Sequence, residues 1–385
     1  NKQNIYEVYM KKYKKIFIFL LSIFLILAVA KFTFQKSEYL KQKAKLLLPF
    51  DLITFFKVVT NFDGNLFQHY ENDYKVKFLP QTQFIKLDFK KYKLDFIKRG
   101  NFGGFPFLID TYNKNLFLTD TSGEIYFTDI ESVIDGNVKK FKKIPTNLGE
   151  LLPLNEKRDN NKKIISGLKD KPDILIAKDK IYFATGFIKD RCNQIELYSG
   201  DISTSKINFK LIFSTKEKFK QCLHPKNNFG RIESYFDGIN NNILLSIGHS
   251  AIDNDDTFGN IILINEDKNY SEIFAKGLRG TLGIYADENV ILGTDNGPKG
   301  GDEINKIEKG KHYGFPYVSY GEKYTNLDYS KPTYKKDHKK NGFTEPVYSF
   351  VYALGIAEII KLPNSFSPFW QDNFIISTLN GRHLL

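Results

Sequence analysis

Residues 277–321 read GLRGTLGIYADENVILGTDNGPKGGDEINKIEKGKHYGFPYVSYG. Three features share this segment. Residues 289–294 read as a buried strand. A glycine-rich acidic loop follows at 295–303, and an aromatic turn at 312–316. Glycines 297, 300 and 301 permit backbone angles that side chains forbid, so carbonyl oxygens can converge on one point. Carbonyls together with Asp302 and Glu303 are hard oxygen ligands of the kind calcium takes. The competing reading is a tight inter-strand loop whose acids are solvated.

Outward from this segment the same grammar recurs: a short apolar strand, a polar or glycine turn, another strand. The strongest strands are 116–119, 181–185, 243–247, 290–294 and 374–378, each rich in β-branched, leucine or aromatic residues. Residues 115–130, NLFLTDTSGEIYFTDI, read as a hairpin across Thr121-Ser122-Gly123. Helical periodicity is nearly absent after residue 60. Many short strands with turn signals imply a sandwich, barrel or propeller, and recurrence at a few tens of residues favours the propeller. The five strands are expected to be the inner strands of five blades.

Four ordered pieces carry a resemblance: Gly277-Leu278-Arg279, Asn296-Gly297-Pro298, Gly301-Asp302-Glu303-Ile304-Asn305 and Tyr313-Gly314-Phe315-Pro316. Together they resemble the glucose/sorbosone dehydrogenase family, the soluble quinoprotein sugar dehydrogenases and their aldose dehydrogenase relatives. The resemblance implies an all-β, six-bladed β-propeller that binds pyrroloquinoline quinone (PQQ) and calcium and oxidises a sugar. It covers 225–385 closely and 100–225 weakly. The family pattern continues for several tens of residues past Leu385, so the chain is expected to be C-terminally truncated, with its last blade incomplete.

Carried over position by position, Arg279 matches the arginine that contacts the quinone, although the asparagine expected next is Gly280. Gly297 and Pro298 match the carbonyl pair that holds the cofactor's calcium. Glu303 and Tyr313 match a second, structural calcium site, by side chain and by backbone oxygen. Other positions depart from the family. The catalytic-base position holds Asn227, and asparagine takes no proton from a hydroxyl at neutral pH. The partner-acid position holds His249, a candidate base from the opposite side. His224 is another, and the alternative for both is a packing or surface histidine. Ala353 lacks the hydroxyl of a family residue near the quinone, and Asn380 stands where a cofactor-binding lysine is common. A tricarboxylate quinone needs cationic partners, and these losses remove some.

Residues 11–30, KKYKKIFIFLLSIFLILAVA, place four lysines before an apolar run ending in Ala28-Val29-Ala30. This is a secretory signal or, if prolonged into the helical-looking 35–47, an uncleaved transmembrane anchor. The domain reading is a cytoplasmic basic segment at 1–15, an anchor or signal at 16–34, a helical linker at 35–60 and the propeller at 61–385. The propeller is then exported, anchored to the inner membrane and facing the periplasm, or cleaved and released. The net charge of +12 is scattered along the chain and accompanies no nucleic-acid motif, so nucleic-acid binding is excluded. Export permits a disulfide between Cys192 and Cys222, against two separate thiols. Two function classes follow. One is a PQQ-dependent aldose or glucose dehydrogenase-like enzyme acting on a small sugar substrate. The other is a catalytically silent, membrane-tethered propeller that binds a glycan or protein.

Overall fold

The computed structural model describes residues 107–385 apart from 121–122, 136–140, 154–156, 161–163, 169–171, 224–228, 250–257, 325–331, 351–352, 367–369 and 381–383. The chain divides into Asn1–Gln68 and His69–Leu385, and every described residue lies in the second unit. The proposed membrane helix and linker lie outside the described residues. Among the described residues, no helix is long and apolar enough to cross a membrane.

The described chain is all-β with a few short helices. Blade 1 is β1 (Phe107–Tyr112), β2 (Asn115–Asp120), β3 (Ile125–Asp129) and β4 (Lys142–Ile144), paired in that order. Blade 2 comprises β5 (Lys157–Arg158), β6 (Ile164–Leu168), β7 (Asp173–Ala177), β8 (Lys180–Lys189), β9 (Cys192–Asp201) and β10 (Lys210–Ser214). Here β7 and β6 both pair with β8, and β9 and β10 continue outward. Blade 3 is β11 (Phe229–Phe236), β12 (Asn241–Ile247), β13 (Asn260–Asn265) and β14 (Tyr270–Ala275). Blade 4 is β15 (Thr281–Ala286), β16 (Ile291–Asp295), β17 (Asp302–Lys306) and β18 (Tyr348–Phe350). A two-stranded ribbon, β19 (Ile356–Lys361) and β20 (Phe374–Thr378), follows.

Two expectations are corrected. Six blades were expected, and the described residues form four blades and one ribbon. The number six was implied by the resemblance; the recurrence in the sequence defines the repeating unit without fixing how many units the ring holds. The five strands read as innermost are also second strands, belonging to β2, β8, β12, β16 and β20. The strands that meet one another between neighbouring sheets are β1, β7, β11, β15 and β19.

The reason is burial. The core lies between sheets, where one cluster joins blades 1 and 2, another blades 2 and 3, and a third blades 3 and 4. A second strand such as β12 is buried on both faces from Asn242 onward, with Ile243, Leu244, Leu245 and Ile247 apolar. An inner strand must carry polar groups toward the axis. Arg231 on β11 does so most extensively. It donates from Nη1 to Asp173 on β7 (3.0 Å) and from Nε to the Leu282 carbonyl on β15 (3.1 Å), and it pairs through Nη2 with Glu358 on β19. Asp110 on β1 accepts from the Ile176 amide of β7 at 2.5 Å.

Candidate functional site

Antiparallel strands alternate their ends, so the loops after β12 and β16 and the crossing from β14 to β15 open on one face. The His249 amide donates to the Arg279 carbonyl at 2.7 Å, and the Asn296 amide to the Gly280 carbonyl at 2.9 Å. These bonds gather three loops into one corner. Asp295, buried at the end of β16, accepts from the amides of Arg279 (2.9 Å) and Gly280 (2.6 Å) and so fixes the turn. Burial raises its pKa, and the two amide donors and the Arg279 charge oppose that rise.

Arg279 Nη1 donates to the carbonyls of Asn296 (2.5 Å) and Gly297 (2.9 Å). The Pro298 carbonyl accepts from the Gly301 amide at 2.9 Å. Both oxygens of the expected calcium pair therefore already carry donors from the chain. Asp302 accepts from the Gly297 amide (3.1 Å) and the Gly355 amide (2.6 Å), which ties the loop to the chain before β19. Burial raises its pKa to about 6. Asn380 donates to the Ala353 carbonyl at 2.9 Å, so the two positions that depart from the family meet each other beside this corner.

Glu303 is 5% exposed. Burial first, and then the carboxylates of Asp295, Glu345 and Asp302, push its pKa well above the usual range. His338 Nε2 stands 3.5 Å from its Oε1. Burial lowers the His338 pKa to about 4, so the imidazole is neutral at pH 7 and adds no countercharge. The Asn305 side chain is fully buried; its amide nitrogen faces Glu303 and opposes the rise in that pKa, while its oxygen has no hydrogen-bond partner. His338 Nδ1 makes no hydrogen bond, and Glu345 Oε2 stands 3.8 Å from it.

Tyr313 is buried. Its phenol donates to the Lys306 carbonyl and accepts from the Glu308 amide at 2.9 Å. Its neighbour Gly314 has φ +97, and a Cβ there would lie 2.9 Å from His338 Cδ2. Tyr313 thus sits one residue from the imidazole that faces Glu303. A buried carboxylate, an orphaned amide oxygen and nearby carbonyls are the donors a hard cation takes. Among the described residues, no group of three or more His, Cys, Asp or Glu side chains is arranged to hold a metal ion.

His249 is 6% exposed and packs edge-on against Phe315, with ring centroids 5.4 Å apart. Asn227 and His224 lie outside the described residues. The sequence reading missed His338 and Arg231. Nothing in KKDHKK marks a buried imidazole, and the partners of Arg231 on β7, β15 and β19 are far away in the chain.

Residues 250–385 match the family model described as Glucose / Sorbosone dehydrogenase. Aldose sugar dehydrogenase YliI of Escherichia coli (strain K12) is 27% identical over 124 residues, which is 32% of this chain and 33% of that protein. An uncharacterized protein of Synechocystis sp., slr1608, is 28% identical over 31% of this chain and 28% of its own length. The matched stretch therefore spans about a third of the length of these curated relatives. The crystal structure of a soluble aldose sugar dehydrogenase from Escherichia coli in its apo form matches with a TM-score of 0.53 at 20% identity, over 71% of this chain and 82% of that one. A glucose dehydrogenase structure matches with a TM-score of 0.53 at 16% identity, over 71% and 79%. At these identities the solved structures show the fold, and residues 250–385 are similar to the glucose / sorbosone dehydrogenase family.

Proposed function

We propose that the chain is a sugar-oxidising oxidoreductase that carries PQQ on the face bearing Arg279. The observation that carries this reading is the corner itself. A guanidinium is held on the loop 296–297 by two carbonyls, and Asp295 fixes the turn behind it. When bound, the quinone supplies the acceptor for a hydride from a sugar carbon. Arg279 gives such an anionic group a fixed cation. Asp302 and Gly355 hold the loop against the neighbouring segment, which keeps the corner in shape before a ligand arrives.

The fit is uneven. A calcium ion at Gly297 and Pro298 would compete with the Arg279 guanidinium for the Gly297 oxygen. Glu303 fits better. Calcium there would face a buried carboxylate and the unpartnered Asn305 oxygen, with the backbone near Tyr313 supplying carbonyls.

A second reading, a catalytically silent propeller that binds a glycan or protein, is favoured by different observations. Asn380 and Ala353 are bonded to each other, and His249 is packed against Phe315. In both readings we infer export, with residues 16–34 as an anchor and the propeller facing the periplasm. The experiment is an absorbance titration of the chain with PQQ in calcium, together with reduction of an artificial dye by aldoses. Saturable binding with dye reduction supports the enzyme, and Arg279→Ala should then weaken binding. No binding at high micromolar PQQ overturns it in favour of the silent propeller.

A further inference from the structure

The opposite face carries a cleft that the Arg279 corner does not use. The β11–β12, β13–β14 and β15–β16 turns and the end of β17 all open there. Between blades 3 and 4 they enclose about 680 Å³, within the roughly 300–1,000 Å³ of small-molecule sites. The cleft is preformed. Asp237 accepts from the amides of Ile239 (3.0 Å) and Asn240 (2.7 Å), and Asp287 from those of Asn289 (2.8 Å) and Val290 (2.9 Å), so both turns are held without a ligand.

The lining is apolar below and mixed above. Leu263, Ile291 and Ile307 are buried at its base. One wall is aromatic, with Tyr235 edge-on to Phe274 at 5.8 Å and Tyr270 49% exposed. Around them stand Glu272, Glu288 and Glu308, besides Asp237 and Asp287 of the turns, with Lys268, Lys306 and Lys309. Lys309 pairs with Glu272 at 2.6 Å and Lys306 with Glu308 at 3.3 Å.

These features select a ligand class. Five carboxylates against three lysines disfavour an anion, and a cation finds Asp237 and Asp287 already bonded to turn amides and Glu272 and Glu308 already paired with lysines, in a chain that carries +12. A neutral ligand rich in hydroxyls suits the cleft, because each hydroxyl both donates and accepts. The rim offers carboxylate acceptors and ammonium donors side by side, and the tyrosine faces cover C–H surface. We propose that this cleft binds a neutral oligosaccharide, as a site separate from the Arg279 corner and independent of any quinone.

The test is isothermal titration of the full chain, without PQQ, with cellohexaose and with maltohexaose. Saturable binding of either is expected, weakened at least about tenfold by Tyr270→Ala and weakened also by Glu288→Ala. Both side chains are exposed, so the variants should fold, and circular dichroism checks that they do. Absence of binding by both hexaoses at millimolar concentration would overturn the proposal. Binding that persists undiminished in both variants would place the saccharide elsewhere and overturn it equally.

Discussion

Gly297 and Gly301 are required by contact rather than by backbone angle. A Cβ on Gly297 would lie 1.7 Å from the Gly301 carbonyl oxygen, and one on Gly301 would lie 2.3 Å from the Gly321 nitrogen. Of the three glycines read as conformationally special, only Gly300 has positive φ, at +76. That Arg279, Gly297 and Asp302 lie close together was legible because one continuous stretch, from the turn before β15 to the start of β17, carries all three. Glu303 was legible for the same reason, but its surroundings of Asn305 and His338 were not. Calcium at Glu303 would relieve the repulsion among Asp295, Asp302, Glu303 and Glu345. At about a hundredfold its dissociation constant, the ion should stabilise the fold by about 2.7 kcal/mol. Glu303→Gln should lose that gain, and chelator should erase the difference between the two proteins in a thermal melt. Equal calcium responses would remove Glu303 from the site. Glu233 supplies a pH test. Burial raises its pKa to about 7 against the donors of Ser234, with the nearby carboxylates of Glu358 and Asp110 adding to the rise. A carboxyl whose pKa is raised on folding contributes stability that is complete below about 4.5 and lost as pH rises through about 7. The side chain is partly exposed, so the loss should be on the order of 1 kcal/mol. Melting temperature should therefore fall from pH 5 to pH 8 in the parent protein and fall less in Glu233→Gln. Parallel curves would refute the assignment.

At the scale of the element, the strands were legible and their layer was not. A run such as 243–247 announces a strand buried on both faces, and β12 is one. The reading erred in equating the most apolar strand with the innermost, because inner strands give up apolar residues to place Asp173, Arg231 and Glu358 toward the axis. Neighbouring blades are also held by polar bolts that no local pattern reveals. Glu266, in the β13–β14 turn, accepts from Lys180 (2.8 Å) and Ser199 (2.8 Å) of blade 2 and pairs with Lys210 (3.0 Å). The Cys192–Cys222 disulfide ties the start of β9 to the segment after the short helix α1 (Thr215–Phe219), and it closes a separation of 30 residues. A loop of that length should contribute ~3–4 kcal/mol by restricting the unfolded chain. Labelling the unreduced, unfolded protein should find no free thiol. Reductant should lower the denaturation midpoint, and Cys192→Ser/Cys222→Ser should match the reduced protein. Two labelled thiols in the unreduced sample would exclude the bond.

At the scale of the whole molecule, the axis decides whether the blades behave as one body. Each core cluster joins only two neighbouring blades, as in other repeat architectures. Arg231 reaches further, contacting β7, β15 and β19 from its own place on β11. It is also the countercharge of Asp173, which is buried and whose pKa burial raises despite the neighbouring guanidinium. Removing one partner of a buried ion pair leaves the other uncompensated and costs about 3–5 kcal/mol, whereas removing both costs much less. Arg231→Met should therefore lower the urea-unfolding free energy by about that amount, and Arg231→Met/Asp173→Asn should recover part of the loss. The shape of the transition carries separate information. If the arginine couples the inner strands, the parent protein unfolds in one transition and Arg231→Met broadens it or splits it, because blades linked only pairwise unfold with less cooperativity. A variant that loses stability but keeps a single sharp transition would mean that the pairwise cores suffice to unify the propeller and that Arg231 serves only to neutralise Asp173.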